Sequence, residues 1–258
     1  MPFPLAHPAV VLPLRKIQWL SLSAMMLGCL TPDVSYAFRG GLSRLAHTLS
    51  GSVLFCLPVG LLGYWLFRAI REPLAALLPA PHRQALLPLC RRREHTWPAI
   101  VVSVWIGACS HILLDALTRE SQMLVPHLVG VRNEIAAIER EGFRFSRLLW
   151  YGLSAAGLGT LLLSYALLIR NRTGRWSWVD RRESLRTAAW LVALLFPLLV
   201  IAVVGGIPGP QWSWRYHVHH FVYGTVTVYL VVMGCSIVLL GLALRLHQAL
   251  TLRRAPDD

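Results

Sequence analysis

Along this chain, apolar residues gather in long runs separated by short joints rich in Arg, Gly and Pro. Five runs reach the roughly 17–25 residues that a helix needs to cross a bilayer. They lie near 50–70, 97–117, 148–169, 187–206 and 221–244. A sixth run, Ile17–Leu30, has about 14 residues, short for a span, and reads as an interfacial or re-entrant helix near the N-terminus. Arg15 and Lys16 precede it as they would precede the apolar core of a signal peptide, but the Pro-rich leader Met1–Pro8 argues against that reading. The pattern predicts an all-α, polytopic integral membrane protein. It would form a single domain over 1–258, with about five transmembrane helices plus the short N-terminal helix.

Composition strengthens this expectation. Of 258 residues, 55% are hydrophobic and 14% charged, against roughly 45–50% and about 25% in soluble domains. Ten Trp and the low charge exclude a disordered chain. The formal net charge is +13, and Lys16 is the one Lys among 25 cationic residues. The Arg residues cluster between apolar runs, as in Arg91-Arg92-Arg93 and around Arg170–Arg182. That placement suits anionic lipid headgroups as partners, not nucleic acid, which needs a basic face on a folded soluble module. If the last run ends in the cytoplasm, the inside joints hold 14 Arg and the outside joints 10 Lys/Arg. The positive-inside rule therefore favours a cytoplasmic C-terminus in the bacterial inner membrane. In the outside segment 118–147, Asn133–Arg140 reads as a short polar helix. The five Cys form no CxxC pair, and their spacing suggests neither a zinc ribbon nor a disulfide framework.

The polar residues within or beside the apolar runs carry the chemistry. His111 and Asp115 share one helix face near the end of the second run. Ionisable groups there are costly and mark a functional site. The two side chains could hold a divalent metal, or form a buried His–Asp hydrogen bond that fixes helix packing. Topology adds His7 before the short helix, Asp33 after it and His47 at the start of the first run. If Ile17–Leu30 does not cross, all five residues reach one membrane face. Imidazole and carboxylate ligands suit zinc, with manganese or iron as alternatives. Each residue alone has a structural explanation: His7 a tethered terminus, Asp33 a turn after Pro32, His47 a helix entry. His217, His219 and His220 stand among Trp212, Trp214 and Tyr216 and read as an interfacial aromatic belt in preference to a metal tract.

These blocks resemble a bacterial membrane family, domain of unknown function 4184. The resemblance is carried by Met1-Pro-Phe-Pro-Leu-Ala-His-Pro8, Gly28-Cys-Leu-Thr-Pro-Asp33, Ala46-His-Thr-Leu-Ser-Gly51, Ser110-His-Ile-Leu-Leu-Asp115 and Arg147-Leu-Leu-Trp-Tyr-Gly152. That family is in turn distantly similar to membrane-bound metal-dependent hydrolases, which carry a Pro-Asp, a His-Thr or His-Ser and a His-x-x-x-Asp block. The resemblance implies metal ligands at His7, Asp33, His47, His111 and Asp115. The further His and Glu ligands of soluble zinc phospholipases have no counterpart here.

The sequence thus leads to a metal-dependent hydrolase working at the membrane interface on a phosphate ester or a lipid-linked substrate. Asp33 and Asp115 are the catalytic candidates, and Arg39, Arg44 or Arg119 would hold an anionic headgroup. The alternative is a non-catalytic multi-pass protein, either a metal-binding scaffold or a small transporter. A transporter would favour polar groups near the bilayer midplane and paired broken helices, whereas His111 stands near one end of its run.

Overall fold

In a computed structural model of the chain, the described residues are 4–37, 42–92, 95–120, 145–173, 181–204, 229, 232–246 and 250. Among them every regular element is a helix. A 3-10 helix covers Pro4–Lys16. It is followed by α1 (Leu22–Val34) and the short α2 (Leu42–Ala46). Next come α3 (Leu49–Leu77, containing a π turn at Ser52–Cys56), α4 (His82–Cys90) and α5 (Trp97–Glu120). The last are α6 (Phe145–Arg172), α7 (Arg181–Val204) and α8 (Val232–Leu246). Among the described residues three helices are long and apolar enough to cross a membrane: Leu49–Leu77, Trp97–Ala116 and Tyr151–Arg172. They fall on the first three predicted runs. The two later runs are helical where described, but their apolar helical stretches are shorter, Arg186–Phe196 and Val232–Leu246.

The three long helices turn large apolar side chains outward. Leu62, Trp65, Leu113, Leu162 and Leu163 are all exposed, and the most apolar window of Tyr151–Arg172 has none of its residues buried. In water such surfaces would associate; in a bilayer they face acyl chains.

The chain divides into two compact units, Met1–Leu66 with Arg93–Leu168, and Phe67–Arg92 with Ile169–Asp258. In the second, Glu183 in the first turn of α7 accepts from Arg83 and Arg186, each at 2.6 Å, and from the Ala80 N–H at 2.8 Å. Trp190 Nε1–H donates to the Leu77 carbonyl at 3.1 Å.

The first unit is organised around the crossing of α1 and α5. A short interfacial helix over Ile17–Leu30 was expected. The helix instead begins at Leu22, because Ser21 caps it by accepting from the Ala24 N–H, and it continues through Pro32 to Val34. One face of it packs within the protein. Ala24, Met25, Gly28, Cys29, Thr31 and Pro32 are buried, and Met25 and Cys29 share a cluster with Val11, Leu14 and Ile106. Two glycines permit the close approach. A Cβ on Gly28 would strike the Val104 carbonyl, and one on Gly107 would strike the Met25 carbonyl. Small residues of this kind let helices in a membrane approach backbone to backbone. Polar contacts fix the register: the Ser21 N–H donates to Ser103 Oγ at 2.9 Å, and Cys29 Sγ lies 3.4 Å from Ser110 Oγ. The π turn of α3 sits against α5 as well, since Trp105 Nε1–H donates to Ser52 Oγ at 3.1 Å.

Gly28→Ala and Gly107→Ala should each lower the thermal midpoint in detergent, at a cost of about 1–3 kcal/mol for the overpacked crossing. Gly63→Ala and Gly159→Ala place their new carbon in open space. They should be neutral or gain up to about 1 kcal/mol of helix propensity. Equal effects at all four positions would show that the glycines do not set the crossing.

Candidate metal centre

Four stretches of the first unit each deliver part of a buried cluster. The 3-10 helix carries His7, and the last turn of α1 carries Asp33. His47 stands at the corner between α2 and α3, and α5 carries His111 and Asp115 one turn apart. The corner is built by Thr48, whose hydroxyl accepts from the Gly51 N–H at 3.0 Å and donates to the Leu45 carbonyl at 2.6 Å. It is tight enough that a Cβ on Gly51 would overlap the Leu45 carbonyl. The glycine crossing brings Cys29 and Asp33 of α1 alongside His111.

The donor atoms then meet. His47 Nε2 lies 3.7 Å from Asp33 Oδ1 and 3.6 Å from Asp115 Oδ2. His111 Nε2 lies 3.6 Å from each of the same two oxygens. His7 Nε2 lies 3.4 Å from the other oxygen of Asp115, Oδ1. The His7 and His111 rings stack with centroids 3.9 Å apart and planes 15° from parallel. His47 meets His111 edge-on at 5.6 Å.

Tautomer chemistry gives these distances meaning. His111 Nδ1 is 2.6 Å from the Cys29 carbonyl, and His47 Nδ1 is 2.8 Å from the Ser43 carbonyl. A carbonyl only accepts, so each Nδ1 carries the hydrogen. In the neutral ring Nε2 is then a bare lone pair. Among the described residues neither buried Nε2 atom has a hydrogen-bond partner, and both point at carboxylate oxygens. Lone pair against carboxylate is repulsive unless positive charge lies between. A backbone carbonyl behind the ring and a lone pair in front is also the usual arrangement of a metal-ligating histidine. Two sets of donor atoms lie close enough to share an ion: His7, His111 and Asp115, and Asp33, His47 and His111. His47 reports the same demand for positive charge. Burial disfavours its charged form, but the Asp33 carboxylate, the Ser43 carbonyl and the charge of Asp115 together favour it and win. Its pKa is therefore raised above the ordinary histidine value.

The cluster is buried throughout and least so at Asp33. The His111, His7 and Asp115 side chains are 0%, 1% and 3% exposed, against 14% for Asp33. Tyr36, itself exposed, places its ring 5.5 Å from His47. The structure thus assembles all five residues that the sequence singled out. Of the Arg candidates, Arg44 is exposed on α2, and Arg119 lies in the last turn of α5. Arg39 falls outside the described residues, as do His217, His219, His220 and the segment Asn133–Arg140. Sequence reasoning missed the two carbonyls that orient the histidines and the ring of Tyr36. It also missed the glycine crossing, although Ala24-x-x-x-Gly28 and Ser103-x-x-x-Gly107 carry its small-residue spacing.

His47→Asn and His111→Asn make a direct test. The Asn amide can keep the N–H donated to the Ser43 or Cys29 carbonyl while deleting the Nε2 lone pair. Each variant should remain folded in detergent but retain less than a tenth of the zinc bound by the unaltered protein, measured by elemental analysis. Unchanged zinc would remove that histidine from the ligand set.

The family described as Domain of unknown function (DUF4184) matches over residues 1–245, and no curated protein or solved structure matches the chain. The chain belongs to that family.

Proposed function

We propose that this member of the family is a multi-pass protein of the bacterial inner membrane that carries out metal-assisted hydrolysis at the membrane interface. Its substrate would be a phosphate ester or a lipid-linked compound. The observation that carries the reading is the pair of buried Nε2 lone pairs, on His47 and His111, facing the carboxylates of Asp33 and Asp115. The family match brings no reaction with it, so the chemistry is argued from these residues.

A divalent ion, zinc first and manganese or iron as alternatives, matches the donor set in type and charge. Two carboxylates against a dication leave the centre neutral, which suits its burial. When bound, such an ion lowers the pKa of its water from about 15.7 toward 7 and polarises a phosphoryl or acyl oxygen. The chain's own residues do the rest. His47 and His111 are held rigid by their backbone carbonyls. Asp33, more exposed than Asp115, would accept a proton through Oδ2, the oxygen that does not face the histidines. Arg44, exposed on the same short helix that leads into His47, is placed to meet an anionic headgroup. The cluster belongs to the N-terminal end of α3 and the C-terminal part of α5, at one end of two candidate spans. That is where an interfacial enzyme would meet a substrate anchored in lipid.

The orientation follows from the Arg bias: C-terminus in the cytoplasm, cluster on the outer face, and all five apolar runs crossing. The second reading, a non-catalytic metal-binding scaffold, shares the same centre and lacks turnover.

Two measurements test this. Protein stripped with a chelator in detergent should lose hydrolysis of a panel of phosphate esters and lipid-linked substrates and regain it with zinc or manganese. Metal binding without turnover on any of them would leave the scaffold reading. Reporters fused after Asp258 and inserted near Gln211 should read cytoplasmic and external respectively, and the reverse would move the centre to the cytoplasmic face.

A further inference from the structure

The four distances that link His47 and His111 to Asp33 and Asp115 are nearly equal, at 3.6 to 3.7 Å. Ligands about 2.0–2.2 Å from a tetrahedral ion stand roughly 3.3–3.6 Å apart along the edges of the tetrahedron. These contacts are four of the six edges of such a tetrahedron, and they come close to the spacing that a single ion among these atoms needs. The contact of His7 differs in kind. It is made to Asp115 Oδ1, and the oxygen that faces His47 and His111 is Oδ2. It is also shorter, at 3.4 Å, within reach of a long hydrogen bond. The ring of His7 lies flat on that of His111, so the two imidazoles approach the two oxygens of one carboxylate side by side.

We propose that His7 is a positioning residue and that the ligand set is His47, His111, Asp33 and Asp115 around one ion. This departs from the five-ligand set implied by family resemblance, and it rests on the metal reading above. His7 donates Nε2–H to Asp115 Oδ1 and leaves Oδ2 to the ion. Carboxylate ligands held in this way are oriented and made more selective by their outer partner. His111 cannot serve two ions through one lone pair, because its Nδ1 is committed to the Cys29 carbonyl. The two overlapping donor groups, which both include His111, therefore describe one centre and not two. Asp33 is the least buried of the four, so its side is where water or a substrate oxygen would join.

The test uses full-length protein in detergent, with cobalt(II) as a visible probe and zinc for affinity. His7→Gln places an amide N–H near the position of the imidazole Nε2–H and should keep zinc affinity within about threefold. His7→Ala should weaken it roughly 10–100-fold, the range for lost outer partners, yet still take up one equivalent at saturation. Both variants should keep the cobalt band positions of the unaltered protein, because no ligand changes. His47→Asn and His111→Asn should lose those bands. The assignment is overturned if His7→Gln loses the equivalent or shifts the bands, which would make His7 a ligand. It is also overturned if His7→Ala binds as tightly as the unaltered protein, or if that protein takes up two equivalents. Failure of the unaltered protein to bind either metal would overturn the metal reading as well. Binding without hydrolysis would leave this assignment standing and remove only the enzyme.

Discussion

Two imidazole lone pairs aimed at two carboxylates, with little water to screen them, form the constraint around which the first unit is built. Hydrogen bonds within the cluster do not satisfy it. The Nδ1 atoms are already committed to the carbonyls of Cys29 and Ser43, so the Nε2 atoms call for a cation, an added proton or a donor such as water. A buried polar atom left without a partner costs about 1–3 kcal/mol, and three of them, His47 Nε2, His111 Nε2 and Asp115 Oδ2, lie in one cluster among the described residues. The raised pKa of His47 is the proton's version of the same answer. A divalent ion is the version that also neutralises Asp33 and Asp115.

The packing serves that arrangement. Gly28 and Gly107 let α1 and α5 meet backbone to backbone, which brings the Cys29 carbonyl within 2.6 Å of His111. Ser21, Ser103 and Ser110 pin the sliding register of the two helices. The Thr48 corner fixes His47 at the entry to α3, and the Trp105–Ser52 bond ties that entry to α5. Each contact is modest alone. Together they hold the His47 and His111 nitrogens at nearly the same distance from the two carboxylates, a symmetry that loose loops would not keep.

Much of this was legible in the sequence, and the reasons differ by residue. His111 and Asp115 stood out because charge within an apolar run is expensive, and their shared face follows from helical periodicity alone. His7, Asp33 and His47 could be joined to them only by counting membrane crossings, and the structure brings them together as that counting required. The short helix was misplaced at its start because Ile17 and Trp19 are apolar, while the local cap at Ser21 decides where helix begins. Its burial was missed because its length was weighed and its small-residue face was not. The separate contact of His7 with Asp115 Oδ1 was beyond reach, since residue type and spacing do not say which oxygen of a carboxylate a histidine meets. The last two runs read as spans by length, and their described helices show shorter apolar stretches.

His7 and Asp115 stand 108 positions apart. During synthesis His7 leaves the ribosome first, and its partner is made only when α5 is nearly complete. The first functional side chain to be made is thus the last to be placed. The long helices can enter the bilayer one at a time, each satisfying its own backbone. An ion held between α1, the Thr48 corner and α5 would act as a reversible cross-link, closing chain loops whose entropy grows only slowly with their length. Assembly would then have two steps: insertion dictated by hydropathy, and locking dictated by the supply of a cation.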